Sequence, residues 1–97
     1  MSPLNRFRLD DHVAVITGAG RGIGEGIARD FAVVGAKVVV AARRTNEIET
    51  VAKAINDAGG EAVAVQTDVT NNDALEHLAR TAINKFGRLT DWINNAG

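Results

Sequence analysis

The sequence contains no cysteine, which excludes disulfides and thiolate metal sites alike. Its two histidines, His12 and His77, stand far apart and form no recognisable ligand pattern, so no metal site is assigned. Proline occurs once, at Pro3, and there are no low-complexity tracts. No stretch approaches the roughly 20 apolar residues that a membrane-spanning helix needs. The segment from Met1 to Asp11 is polar and mixed in charge, without the apolar run of a secretory signal, so a cytoplasmic location is expected. An excess of one charge is lacking too. Eleven Lys and Arg stand against twelve Asp and Glu, and the cations are spread along the chain, so nucleic acid is not an expected partner.

What is present is 97 residues, enough for one domain with a small core. Apolar residues make up 45% and fall in regular blocks, which argues for a folded chain rather than a disordered one. Val13 to Thr17 is a continuous apolar run, the pattern of a strand buried on both faces, and a glycine-rich turn follows it. Ile23, Ile27, Phe31 and Val34 then recur at helical spacing, and Gly35 stands where a helix ends. Lys37 to Ala42 predicts a second strand. A second helix is expected with Thr45 as its N-cap, Ile48, Val51, Ala52 and Ile55 on its apolar face, and Gly59-Gly60 at its end. Glu61 to Gln66 reads as a third strand. Thr70, paired with Asp73, opens a third helix whose apolar face is Leu75, Leu78, Ala79, Ala82, Ile83 and Phe86, and Gly87 ends it. Leu89 to Asn95 reads as a fourth strand. Strands joined by helices of this length imply parallel pairing with right-handed crossovers.

The strongest chemical signal is Thr17-Gly18-Ala19-Gly20-Arg21-Gly22-Ile23-Gly24, placed between a strand and a helix. Glycines let the backbone approach a ligand closely. The following helix aims its free N–H groups and positive dipole end at the turn, where a pyrophosphate fits. The plainer alternative is a tight turn that binds nothing. In the NAD-binding fingerprint, a carboxylate about 20 residues further on accepts hydrogen bonds from the adenosine ribose. Here the second strand ends Ala41-Ala42-Arg43-Arg44, and no Asp or Glu lies between Asp30 and Glu47. A 2′-phosphate suits an Arg fork, and Arg21 can face the same group, so these residues point to NADP(H) over NAD(H). A merely solvated strand end is the alternative for Arg44 above all.

These residues resemble the short-chain dehydrogenases/reductases. That family opens with Thr-Gly-x-x-x-Gly-x-Gly, matched by Thr17, Gly18, Gly22 and Gly24. It carries Asp-Val after its third strand, matched by Asp68-Val69, and Asn-Asn-Ala-Gly after its fourth, matched by Asn94-Asn95-Ala96-Gly97. The resemblance runs from about Leu9 to Gly97. It implies a Rossmann-type α/β fold, a doubly wound parallel sheet of about four strands and three helices in the order 3-2-1-4, incomplete as a sheet. It implies that Gly18, Gly20, Arg21 and Ile23, with Gly22 and Gly24 of the turn, line the pyrophosphate and adenosine side of the cofactor. Arg43 with Arg21 would take the 2′-phosphate. Asp68 would hydrogen-bond the adenine amino group with Val69 packed on the ring, although Asp68 alone reads as a turn-former. Asn95, Ala96 and Gly97 would run beside the ribose, while Thr17 and Asn94 would tie the first and fourth strands together.

One departure is Leu89-Thr90-Asp91-Trp92-Ile93, where the family usually has an aliphatic run. A carboxylate inside a buried strand is costly unless paired or near the strand's end, so Asp91 is expected at the start of the strand, near the surface, and Trp92 in the core. Asp10-Asp11 reads as a solvated pair, and Glu76 and Arg80 as a helix's wet face.

The family's catalytic group is a Ser, a Tyr-x-x-x-Lys and an Asn. This sequence contains no tyrosine, so no catalytic residue is assigned in it. The expected whole is an oxidoreductase moving hydride between NADP(H) and a small carbonyl or alcohol substrate, acting as a homo-oligomer. Residues 1–97 would be the N-terminal part of its single dinucleotide-binding domain. The alternatives are a non-catalytic nucleotide-binding module or a truncated fragment. Fold and cofactor motif do not fix the substrate.

Overall fold

A computed structural model describes residues 8–95. Four strands and three helices alternate: β1 (Val13–Thr17), α1 (Gly22–Val33), β2 (Lys37–Ala42), α2 (Thr45–Asp57), β3 (Ala62–Gln66), α3 (Asn72–Phe86) and β4 (Asp91–Ile93). All pairings are parallel and the sheet order is β3-β2-β1-β4. The expected Rossmann-type order 3-2-1-4 is therefore what forms.

The period of two in β1 and β2 divides the core. Ala14, Ile16, Val38 and Val40 face α1 and α2, where they meet Ala28, Ile48, Val51 and Ile55. Val13, Val15, Val39 and Ala41 face α3, where they meet Leu78 and Ala82. Both faces of the two central strands are covered, which is why they read as unbroken apolar runs. Each of the fully buried Val, Ile and Leu side chains among them contributes about 1.5–3 kcal/mol by leaving water.

The ends of elements depart from the sequence reading. Thr45 is already the first helical residue of α2, and the N-cap is Arg44, with no side-chain hydrogen bond. Only Arg43 and Arg44 separate β2 from α2, so the chain enters the helix one residue early. The N-cap of α3 is Asn71 rather than Thr70, and its Oδ1 accepts from the amide of Ala74 at 3.0 Å. Thr70 is engaged by Asp68 instead, at 2.6 Å through its hydroxyl and 2.9 Å through its amide. α1 stops at Val33, with Val34 as C-cap, and Gly87 caps α3 as expected.

Two apolar residues expected in the core are exposed, Ile83 at 49% and Trp92 at 40%, and Ile23, the first of the helically spaced apolar residues, is 77% exposed. Ile23 lies in the first turn of α1, beyond the sheet's cover, and the buried residues of that helix are Gly24 and Ala28. Trp92 is in register with Val15 and so projects on the α3 side, but α3 packs chiefly on β1 and β2.

The fourth strand is shorter than Leu89 to Asn95 because both flanks are tied down. Before it, the Thr90 amide donates to the Val13 carbonyl at 2.9 Å, and the Val13 amide donates to Thr90 Oγ1 at 2.9 Å. Asp91 opens the strand as expected and pairs with His12, Nδ1 to Oδ1, at 2.8 Å. Its carboxyl is held below the usual carboxylate range, first by the Thr90 hydroxyl and then by His12. Because the folded value is the lower one, the resulting stability is complete above the ordinary Asp value near 4 and is lost as pH falls through the folded value. Asp91→Asn is expected to cost about 1 kcal/mol at pH 7 and almost nothing in acid below the folded value. Urea unfolding of both proteins at the two pH values checks this, and an equal cost at both would contradict it.

Asp10 is paired rather than merely solvated, with Arg8 at 2.8 Å. Glu76 and Arg80 form an exposed ion pair on α3 at 2.9 Å, as its wet face requires.

Candidate functional site

The carboxyl ends of the strands converge on one cleft of about 630 Å³. Strand order reverses between β1 and β4 there, which is where open α/β sheets leave a crevice for a ligand. Gly18, Gly20 and Arg21 line the cleft from the glycine turn, and Arg43 and Arg44 from the end of β2. Val69 and Thr70 close it beyond β3, and Asn95 beyond β4.

The turn is built by close approach. Gly18 and Gly22 have φ of 63° and 64°, the left-handed region that glycine enters at no steric cost. A Cβ on Gly24 would lie 2.1 Å from the Gly18 carbonyl oxygen and 2.6 Å from Asn95 Nδ2. The first turn of α1 is thus seated directly on the glycine turn. The amides of Gly22, Ile23 and Gly24 begin that helix, where N–H groups lack intrahelical partners and the dipole favours an anion.

Thr17 and Asn94 do join the first and fourth strands. The buried Thr17 hydroxyl lies 3.1 Å from Asn94 Oδ1 and 3.4 Å from the Ile93 carbonyl, both acceptors, and receives the Asn95 amide at 3.0 Å. Asn95 in turn donates from Nδ2 to the Gly18 carbonyl at 3.4 Å.

The cleft's charge is set by three guanidinium groups and one carboxylate. Arg44 reaches Glu47 at 3.8 Å. Arg21 and Arg43 are exposed, and neither side chain forms a hydrogen bond or ion pair among the described residues. The Arg43 carbonyl accepts from Gln66 Nε2 at 3.1 Å, so its backbone is fixed while its guanidinium is available. Among the described residues the lining contains no His, Lys or Tyr, and Glu47 is its one carboxylate.

Six of the residues expected from the sequence therefore meet in the cleft: Gly18, Gly20, Arg21, Arg43, Val69 and Asn95. Gly22 and Gly24 shape it from behind, and Ile23 stands exposed at the helix start. Asp68 is outside the lining. Its Oδ1 is held by the hydroxyl and amide of Thr70, and those bonds, helped by the charge of Arg43, keep its carboxyl below the usual range. Ala96 and Gly97 lie outside the described residues.

Sequence reasoning missed Glu47, Thr67 and Thr70 as lining residues. Thr67 and Thr70 flank Asp68-Val69 and were within reach of the motif. Nothing local marks Glu47, which arrives by the packing of α2 beside the glycine turn.

A second cleft of about 400 Å³ lies at the opposite end of the strands, lined in part by Arg8, Gly35, Lys37 and Glu61. Arg8 is bound to Asp10 and Lys37 to Glu61, so its cations are already matched. Among the described residues, no three His, Cys, Asp or Glu side chains cluster as a metal would need, and no helix is long and apolar enough to cross a membrane.

A parallel 3-2-1-4 sheet with a glycine turn leading into a helix at its switch point defines a Rossmann-type domain. The family described as short chain dehydrogenase matches residues 12–97. The 7alpha-hydroxysteroid dehydrogenase of Escherichia coli K12 is 43% identical over 93 residues, covering 96% of this chain and 36% of that protein. A solved 7alpha-hydroxysteroid dehydrogenase in complex with NADH and 7-oxo glycochenodeoxycholic acid superposes with a TM-score of 0.93 at 42% identity, covering 100% of this chain and 38% of that one. A metagenomic short-chain oxidoreductase in complex with NADP gives 0.85 at 42% identity, covering 92% and 40%. The chain belongs to the short-chain dehydrogenase family, and it spans little more than a third of the length of these relatives.

Proposed function

We propose that residues 1–97 form the N-terminal, cofactor-binding part of an NADP(H)-dependent oxidoreductase that moves hydride between the cofactor and a small carbonyl or alcohol. The observation that carries this reading is the exposed Arg43 guanidinium at the carboxyl end of β2, held in no hydrogen bond or ion pair among the described residues, where NAD-binding folds place a carboxylate. Family membership, the strand-turn-helix geometry and the size of the cleft fit a dinucleotide.

In this reading the amides at the start of α1 and the close backbone at Gly18 and Gly20 hold the pyrophosphate. Arg43 and Arg21 clamp the 2′-phosphate. Val69 packs on the adenine, and Asp68 keeps the loop that presents Val69 in shape, with its second carboxylate oxygen left to meet the adenine amino group. Asn95 stands beside the ribose. The bound cofactor supplies or accepts the hydride. The acid–base group comes from residues outside this sequence, which has no tyrosine.

Both NADH and NADP occur in solved relatives, so the nucleotide choice rests on Arg43 rather than on kinship. Replacing Arg43 by Ala removes charge-assisted hydrogen bonds that contribute about 1.5–3 kcal/mol. The NADPH dissociation constant is expected to rise about 10- to 100-fold while that of NADH changes little. Calorimetric titration of both proteins with both nucleotides reads this, and an unchanged NADPH affinity would remove Arg43 from the site.

A further inference from the structure

Glu47 stands in the proposed nucleotide cleft although no motif calls for it. It belongs to the first turn of α2, where the dipole favours its charge. Its side chain is folded across the glycine turn: a Cβ on Gly20 would come within 2.9 Å of Oε1 and 3.0 Å of the Glu47 Cβ. Its other oxygen faces Arg44 at 3.8 Å, and only 26% of the side chain is exposed. The carboxylate missing from the end of β2 thus returns to the same cleft from the next helix.

We infer that Glu47 is a cofactor-selectivity residue, opposing the 2′-phosphate of NADP(H) and accepting a ribose hydroxyl of NAD(H). This rests on the dinucleotide reading above. The chemistry has two parts. A carboxylate beside a phosphate dianion is a like-charge contact, and it also engages Arg44, leaving Arg43 and Arg21 as the cations free to hold the phosphate. Against a ribose that carries no phosphate, the same carboxylate is a hydrogen-bond acceptor of the type that NAD-binding folds place at this side of the cleft. Selectivity is therefore a contest between Arg43 and Glu47, and the protein binds both nucleotides with a moderated preference for NADPH.

The test is calorimetric titration with NADPH and with NADH of the wild-type protein, Glu47→Gln and Glu47→Asp. Glu47→Gln is expected to tighten NADPH and weaken NADH, raising the ratio of the two affinities about tenfold. Glu47→Asp keeps the charge and is expected to leave the ratio near its wild-type value. Thermal unfolding without nucleotide confirms that each variant is folded. A Glu47→Gln protein that weakens both nucleotides alike, or leaves the ratio unchanged, would mean that Glu47 only props Gly20 and Arg44, which overturns the inference while leaving the cofactor reading intact. A wild-type protein that binds neither nucleotide would instead overturn the cofactor reading, and this inference with it.

Discussion

Leu78→Ala is expected to cost about 2–5 kcal/mol of folding stability. Leu78 is the largest fully buried side chain of α3 and packs in one cluster with Val13, Val15, Val39 and Ala41. Truncating it leaves a cavity between a helix and the two central strands, which are too extensively paired to collapse into it. A domain of this size has about 5–15 kcal/mol in total, so the loss is a large share of it, and Tm falls by about 4–8 °C for each kcal/mol. Ile83 lies on the same helix at 49% exposure, and Ile83→Ala is expected to change stability by no more than about 0.5 kcal/mol. Urea unfolding of the two variants tests which face of α3 is buried. Equal costs would contradict the packing described.

The second large effect is at Gly24. Its missing side chain is what lets α1 begin against the glycine turn, because a Cβ there would sit 2.1 Å from the Gly18 carbonyl oxygen. That atom is backbone at the end of the central strand, so it yields only if the whole turn moves. Gly24→Ala is therefore expected to cost about 1–3 kcal/mol of stability. It also displaces the amides proposed to hold the pyrophosphate, and the loss of one charge-assisted hydrogen bond weakens nucleotide binding by about 10- to 100-fold. Gly26 is the control. It lies in the same helix with nothing within 4 Å of its missing Cβ, and alanine there is expected to stabilise the helix by roughly 0.5–1 kcal/mol. Thermal unfolding and nucleotide titration of the two variants measure the contrast. Two variants that behave alike would show that the close approach at Gly24 carries no weight.

How much of this was legible in the sequence follows from where each signal originates. Val13 to Thr17 and Lys37 to Ala42 read correctly because strands buried on both faces are apolar along their middle positions, whatever lies around them. The glycine turn read correctly because its backbone requirement is local. Caps read less well: Thr45 and Thr70 are good capping residues by type, but the short entry into α2 and the demand of Asp68 for a turn partner decided otherwise. Trp92 and Ile83 were placed in the core by apolarity and spacing alone, which report that a residue is apolar and not whether another element reaches it. Asp91 was read correctly because an unpaired buried carboxylate is expensive enough to restrict its position, and His12 supplies the partner. Glu47 was invisible because its place beside Gly20 comes from two elements packing together.

The cleft is proposed to hold a dinucleotide, with the Arg43 and Arg21 guanidinium groups favouring the 2′-phosphate. The most direct measurement is titration of the unmodified protein with NADPH and with NADH under the same conditions. Saturable binding of both, with NADPH the tighter, is the predicted result. Equal affinity, or a preference for NADH, would contradict the role given to Arg43.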